Sequence, residues 1–118
     1  MTSREQLQAN VIHWANVLEG NQDEIRDLYP PEEMDALTCS EYVTEHILDV
    51  EYTVSRSGEV LGASYLMAFG GPTVRIDTRH NTVIGTWGHD RYEIPYTDNI
   101  DLHGLEESFA ESFNTSGR

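Results

Sequence analysis

Carboxylates are the side chains whose spacing in this sequence implies a chemistry. Six of them, Asp23, Glu24, Asp27, Glu32, Glu33 and Asp35, crowd the segment NQDEIRDLYPPEEMDAL around the pair Pro30–Pro31. Glu41, Glu45 and Asp49 follow at intervals of four, which places them on one ridge of a helix, and Glu106, Glu107 and Glu111 lie near the C-terminus. Helical carboxylates at i and i+4 stand roughly 5–6 Å apart at their Cβ atoms. That is comparable with phosphate spacing along a nucleic-acid strand, and duplex DNA carries one charge per roughly 1.7 Å of axis. An arginine-rich cleft built for phosphates accepts carboxylates through the same forked hydrogen bonds. These twelve acids are the expected partner-binding surface.

Other chemistry finds little footing. The sequence has no G-x-S-x-G elbow, no phosphate loop ending in Lys, no H-E-x-x-H and no dinucleotide fingerprint. Lys is absent altogether, which removes Schiff-base chemistry. Gly70–Gly71 precedes a strand rather than a helix and reads as a turn. His80, His89, Asp90 and His103 would make a metal site only if three of them met. Loops separated by one strand of a meander lie at opposite ends, so His80 and His89 are expected to be distant. Cys39 is the single cysteine, without an orienting motif for nucleophilic work. His13, beside Trp14, reads as a surface or partly buried histidine. The expectation is no catalytic set, no metal and no cofactor.

The bulk properties agree with an interaction role. The 118 residues suit one domain, and 21 acids against 7 basic residues, all Arg, give a net charge of −14. A small domain usually carries a net charge of magnitude about 2–8. Residues 1–51 hold −10, residues 52–96 are neutral and residues 97–118 hold −4. Such a field repels nucleic acid and anionic membrane and attracts basic partners. No apolar run approaches the roughly 18 residues needed to cross a bilayer. The N-terminus lacks the basic start and apolar core of a secretory signal, so cytoplasmic residence is expected.

The elements that must hold these acids follow from periodicity. Residues 1–50 form an acidic helical part. Its first helix is capped by Ser3, runs to about Glu19, and carries the apolar stripe Leu7, Val11, Trp14 and Leu18. The prolines split the next segment into a short helix near Gln22–Leu28 and a turn from Pro31. Ile25, Leu28, Tyr29, Met34 and Leu37 are expected to pin it to the core. A helix from about Glu41 to Asp49 follows, with Val43, Ile47 and Val50 inward. Residues 51–96 alternate with period two between turn signals. Five strands are expected: Glu51–Arg56 with Tyr52 and Val54 inward, Glu59–Phe69 with Gly62 a bulge or close approach, then TVRID, Thr82–Trp87 and Arg91–Tyr96. Ser57–Gly58 makes the first turn, and Pro95 marks the last strand as an edge. Residues 97–114 form a C-terminal helix, started by Asp98 or Asn99, with Leu102, Leu105, Phe109 and Phe113 inward. The fold class is α+β, a single antiparallel meander with helices packed on it. The edge strand leaves room for a homodimer as well as a monomer, with Pro95 opposing simple strand addition.

The run LMAFGGPTVRIDTR, a Trp at the end of the next strand and a following helix with Phe–Glu spacing resemble a group of small plasmid, prophage and conjugative-element proteins. The resemblance covers about Leu66 to Phe113. In size, acidity and lack of catalytic motif the chain also resembles anti-CRISPR and antirestriction proteins, several of which are DNA mimics. This second likeness is of type and carries no residue roles. It implies a non-enzymatic inhibitor that occludes the basic nucleic-acid site of a CRISPR or restriction complex. A small adaptor or structural domain using an open sheet face, through Tyr65, Trp87 or Tyr92, with the acidity serving only solubility, is the alternative.

Overall fold

A computed structural model of the chain describes residues 2–35, 38–100 and 102. Helix α1, Ser3–Leu18, opens the chain, with Thr2 rather than Ser3 as its cap: the Thr2 hydroxyl accepts the Glu5 N–H at 3.2 Å. Ser3 is already helical. The apolar stripe is as the spacing predicts, with Leu7, Val11, Trp14 and Leu18 all buried, and Ala15 and Val17 beside them.

Two 3₁₀ segments follow, Gln22–Leu28 and Pro31–Glu33, divided at the proline pair. The Asn21 side chain accepts the Asp23 N–H and starts the first. Ile25 is buried, and Tyr29 and Met34 pack on the core. Leu28, expected inward, is 61% exposed: it ends the segment, where the chain turns extended, and Tyr29 packs on the core in its place. Leu37 lies outside the described residues.

Helix α2 spans Thr38–His46 and buries Thr38, Cys39, Tyr42 and Val43. It stops earlier than the sequence predicts because the sheet claims the residues beyond it. Leu48 N–H bonds to the Leu66 carbonyl at 2.8 Å, and Asp49 pairs with Leu66. Val50 and Tyr52 therefore belong to a strand, and the inward line of α2 runs through Cys39 and Tyr42 instead of Ile47 and Val50.

The sheet comprises β1 (Asp49–Val54), β2 (Val60–Ala68), β3 (Thr73–Asp77), β4 (Thr82–Trp87) and β5 (Asp90–Pro95), antiparallel and in the order of the chain. It is the expected five-stranded meander of an α+β fold, with β1 and β5 at its edges. The first turn centres on Arg56–Ser57, closed by Gly58 N–H to Ser55 O at 3.0 Å, and Gly58 takes φ +88°. On β1 the register slips between Thr53 and Val54, leaving Leu61 unpaired. That slip turns Val54 outward, 45% exposed, where alternation alone placed it inward. Gly62 beside the slip is the close approach expected of it. A Cβ there would stand 2.7 Å from the Arg79 Cβ and 3.1 Å from its backbone.

The inner face aligns Tyr52 with Ala63, Tyr65 with Ile76, Ile76 with Val83, and Val83 with Ile94. Helix α1 lies on this face over β4 and β5. Gly85 leaves room for it, since a Cβ there would collide with Val11 and reach 2.7 Å from Leu7 Cδ1. Trp87 lays its indole against Gly71, 3.1 Å from where a Cβ would stand. The other face carries Ser64, Leu66, Arg75, Asp77, Thr82, Ile84 and Thr86, all half-buried. After β5 the Asp98 carboxylate accepts the Leu102 N–H at 2.7 Å; the helix expected over residues 97–114 lies almost wholly outside the described residues. Ile100 and Leu102 are buried; Leu105, Phe109 and Phe113 lie outside the described residues.

Candidate interaction surface

The acids of the helical layer fall into two kinds. Asp23, Asp27, Glu32, Glu33, Asp35, Glu41 and Glu45 are exposed. Ile25, Tyr29, Met34 and Thr38 hold their backbone against the core. Asp23 pairs with Arg26, both in solvent. Among the described residues no Arg or His lies within ion-pair reach of Asp27, Glu32, Glu33, Glu41 or Glu45. The segment keeps its shape through its backbone: Gln22 donates to the Asp35 carbonyl at 2.7 Å, and the Asp35 N–H to the Thr38 hydroxyl at 2.8 Å.

Glu24 is different. Both of its carboxylate oxygens are used inside the molecule, Oε2 by His13 Nδ1 at 2.9 Å and Oε1 by the Asn16 amide at 3.0 Å. Half-burial pushes its pKa up, but the Asn16 and His13 hydrogen bonds and the His13 charge outweigh that and hold it below the ordinary carboxylate value. Glu24 is therefore occupied and is withdrawn from the partner-binding set.

Asp49 is withdrawn from the α2 ridge as well. It opens β1 and stands opposite Leu66, so the ridge consists of Glu41 and Glu45 alone. Asp49 remains exposed, but on the sheet. Glu106, Glu107 and Glu111 lie outside the described residues.

One cluster went unread in the sequence. His13 Nδ1–H donates to the acceptor-only Glu24 carboxylate, and its Nε2 shares a hydrogen bond of 2.9 Å with the Tyr42 hydroxyl. Tyr42 stacks on Trp14 at 5.2 Å, and the His46 ring stands 4.3 Å from Tyr42. His46 Nδ1–H donates to the Tyr42 carbonyl at 2.8 Å. A carboxylate–imidazole–phenol chain is the arrangement of a proton relay. Here, however, the phenol is buried, and burial with the nearby Tyr29 and Glu24 pushes its pKa up. Tyr42 is held neutral, so the cluster fastens α1, the first 3₁₀ segment and α2 together. The only sequence signal for it was the Tyr42–His46 spacing of four.

Tyr29 belongs to the same region. Burial first, then the charges of Glu45 and Glu41 and a hydrogen bond to Glu45, raise its pKa. Cys39 is buried, and burial raises its thiol likewise, the opposite of what a nucleophile needs.

Three ion pairs lie within the sheet and its turns. Arg75 faces Glu51 at 3.9 Å, Arg91 faces Glu93 at 3.2 Å, and His80 donates to Asp77 at 2.8 Å. His80 and His89 sit in successive turns, β3–β4 and β4–β5, at opposite ends of the sheet. Among the described residues no three His, Cys, Asp or Glu side chains converge as metal ligands, and no helix is long and apolar enough to cross a membrane. His103 lies outside the described residues. No family model, curated protein or solved structure matches the chain.

Proposed function

We propose that this chain is a non-enzymatic acidic inhibitor that occupies the basic nucleic-acid-binding site of a CRISPR or restriction effector complex, acting as a DNA mimic. The observation that carries this reading is the segregation of charge. Asp27, Glu32, Glu33, Glu41 and Glu45 are displayed without cationic partners among the described residues of the helical layer, while Arg75 and Arg91 of the sheet are matched by Glu51 and Glu93. Surface acids without cationic partners on a pinned scaffold keep their charge for a partner and need little reordering to bind. Glu41 and Glu45 stand one helical turn apart, near the repeat of backbone phosphates. Opposed fields speed the encounter with a basic cleft. Such a protein acts in the cytoplasm of the cell that holds the target complex.

The adaptor reading has less support. Tyr65 is fully buried on the core side, and Trp87 and Tyr92 are half-buried in line with it, so none of the three is offered from the outer face.

The test is co-purification with candidate effector complexes at low and high salt. Binding is expected to weaken steeply with salt. Simultaneous reversal of Asp27, Glu32, Glu33, Glu41 and Glu45 to Lys is expected to abolish it while the circular dichroism spectrum is unchanged. Binding that survives these reversals overturns the proposal.

A further inference from the structure

We infer that two copies of this chain pair through β5, edge to edge about a two-fold axis at Tyr92, to form one continuous ten-stranded sheet. The inference does not depend on the inhibitor reading. It starts from the register of β4 against β5. Pro95 stands opposite Thr82 and has no N–H, so Thr82–Pro95 is a non-hydrogen-bonded pair. By alternation Ile84–Glu93 and Thr86–Arg91 are non-hydrogen-bonded too. Arg91 and Glu93 therefore point their N–H and C=O groups away from β4. Tyr96 N–H, which bonds to the Asn81 carbonyl on the β4 side at 3.0 Å, has the opposite parity and agrees. No described strand lies beyond β5. The edge thus offers two donors and two acceptors in a row, on residues whose side chains are 58% and 47% exposed.

Charge selects the occupant. In a two-fold antiparallel pairing centred on Tyr92, Arg91 faces Glu93 of the second copy and Glu93 faces its Arg91. Both are hydrogen-bonded pairs, so the ladder gains four backbone bonds, and opposite charges directly across an antiparallel pair are stabilising. Centring the axis on Arg91 or Glu93 instead sets like charges together. Pro95 falls opposite His89 at the end of this ladder, where its missing N–H interrupts nothing. The other edge lacks this complementarity: the charges of β1 are Asp49 and Glu51 only, so no register sets opposite charges across it, and one centred on Val50 or Glu51 sets acid against acid. Net repulsion between chains is also smallest here, because residues 52–96 are neutral. With α1 lying over β4 and β5, the same axis brings α1 beside its copy on the inner face.

Sedimentation equilibrium of the full chain across roughly 1 μM to 1 mM is expected to show a concentration-dependent dimer. Arg91→Glu and Glu93→Arg are each expected to weaken it about tenfold or more, and the double exchange to restore it. Both residues are exposed, so folding is expected to persist. In the wild type, the Arg91 and Glu93 amides are expected to exchange more slowly with solvent as concentration rises. A chain that stays monomeric throughout, single reversals that leave dimerisation unchanged, or a double exchange that fails to restore it overturns the inference.

Discussion

His13 Nε2 stands 2.9 Å from the Tyr42 hydroxyl, a hydrogen bond between residues 29 positions apart that fastens α1 to α2. On its other side the same imidazole reaches Glu24 at 2.9 Å, so one ring couples three elements. The acidic layer owes its fixed shape to this ring as well as to the apolar stripe of α1.

Tyr42→Phe removes the hydroxyl and leaves a part-buried imidazole nitrogen without its partner. Stability is expected to fall by about 0.5–1.5 kcal/mol, read as a lower urea midpoint with an unchanged slope. An unchanged midpoint would show that the bond contributes nothing net.

Glu24 gives the cluster a pH dependence with a definite sign. Its folded pKa lies below the ordinary value of 4.5, so its contribution is complete above that pH and is lost as pH falls through the folded value. The stability difference between wild type and Glu24→Gln is expected to be largest near neutrality and to shrink in acid below about pH 4.5. A difference that grows on acidification refutes the assignment.

Gly62→Ala tests the close approach between β2 and the β3–β4 turn. The added methyl meets Arg79 Cβ at 2.7 Å and its backbone at 3.1 Å, and backbone cannot move aside as a flexible side chain can. A loss of about 1–3 kcal/mol is expected, as for overpacking elsewhere, measured by thermal or chemical unfolding.

Glu45→Gln should behave oppositely. Glu45 is repelled by Glu41 one turn earlier and lies in the last turn of α2, where a negative charge is disfavoured, while a glutamine oxygen still accepts the Tyr29 hydroxyl, so the change is expected to raise stability by about 0.2–0.5 kcal/mol at low salt. That gain should diminish as salt is added. A clear loss of stability would show that the bond from Tyr29 needs the Glu45 charge.

Much of the fold was legible from the sequence where one period ruled. Leu7, Val11, Trp14 and Leu18 admit only a helix, and β3 and β4 are bounded by turn residues on both sides. Pro95 announced an edge. The α2–β1 junction was not legible because EHILDVEYTV satisfies both periods. Val43, Ile47 and Val50 line one side of a helix, and Val50 and Tyr52 alternate as a strand. Pairing with β2, which lies well downstream, decided it. The exposure of the acids around Pro30–Pro31 followed from their number. That both carboxylate oxygens of Glu24 are engaged inside the molecule did not, since its partners His13 and Asn16 come from the preceding helix across a turn.

The two tryptophans of the chain occupy separate settings: Trp14 among the rings of His13, Tyr42 and His46, and Trp87 against Gly71 at the end of β4. Intrinsic emission therefore has two addresses. Indole emission depends on the groups packed against the ring, so the Trp14 signal follows the state of the helical clamp. The Trp87 signal, with no imidazole ring stacked on it among the described residues, follows the sheet. A Trp14→Phe and a Trp87→Phe variant would separate the two channels, and whether the acidic layer can loosen while the sheet stays closed becomes a question for fluorescence with no label attached.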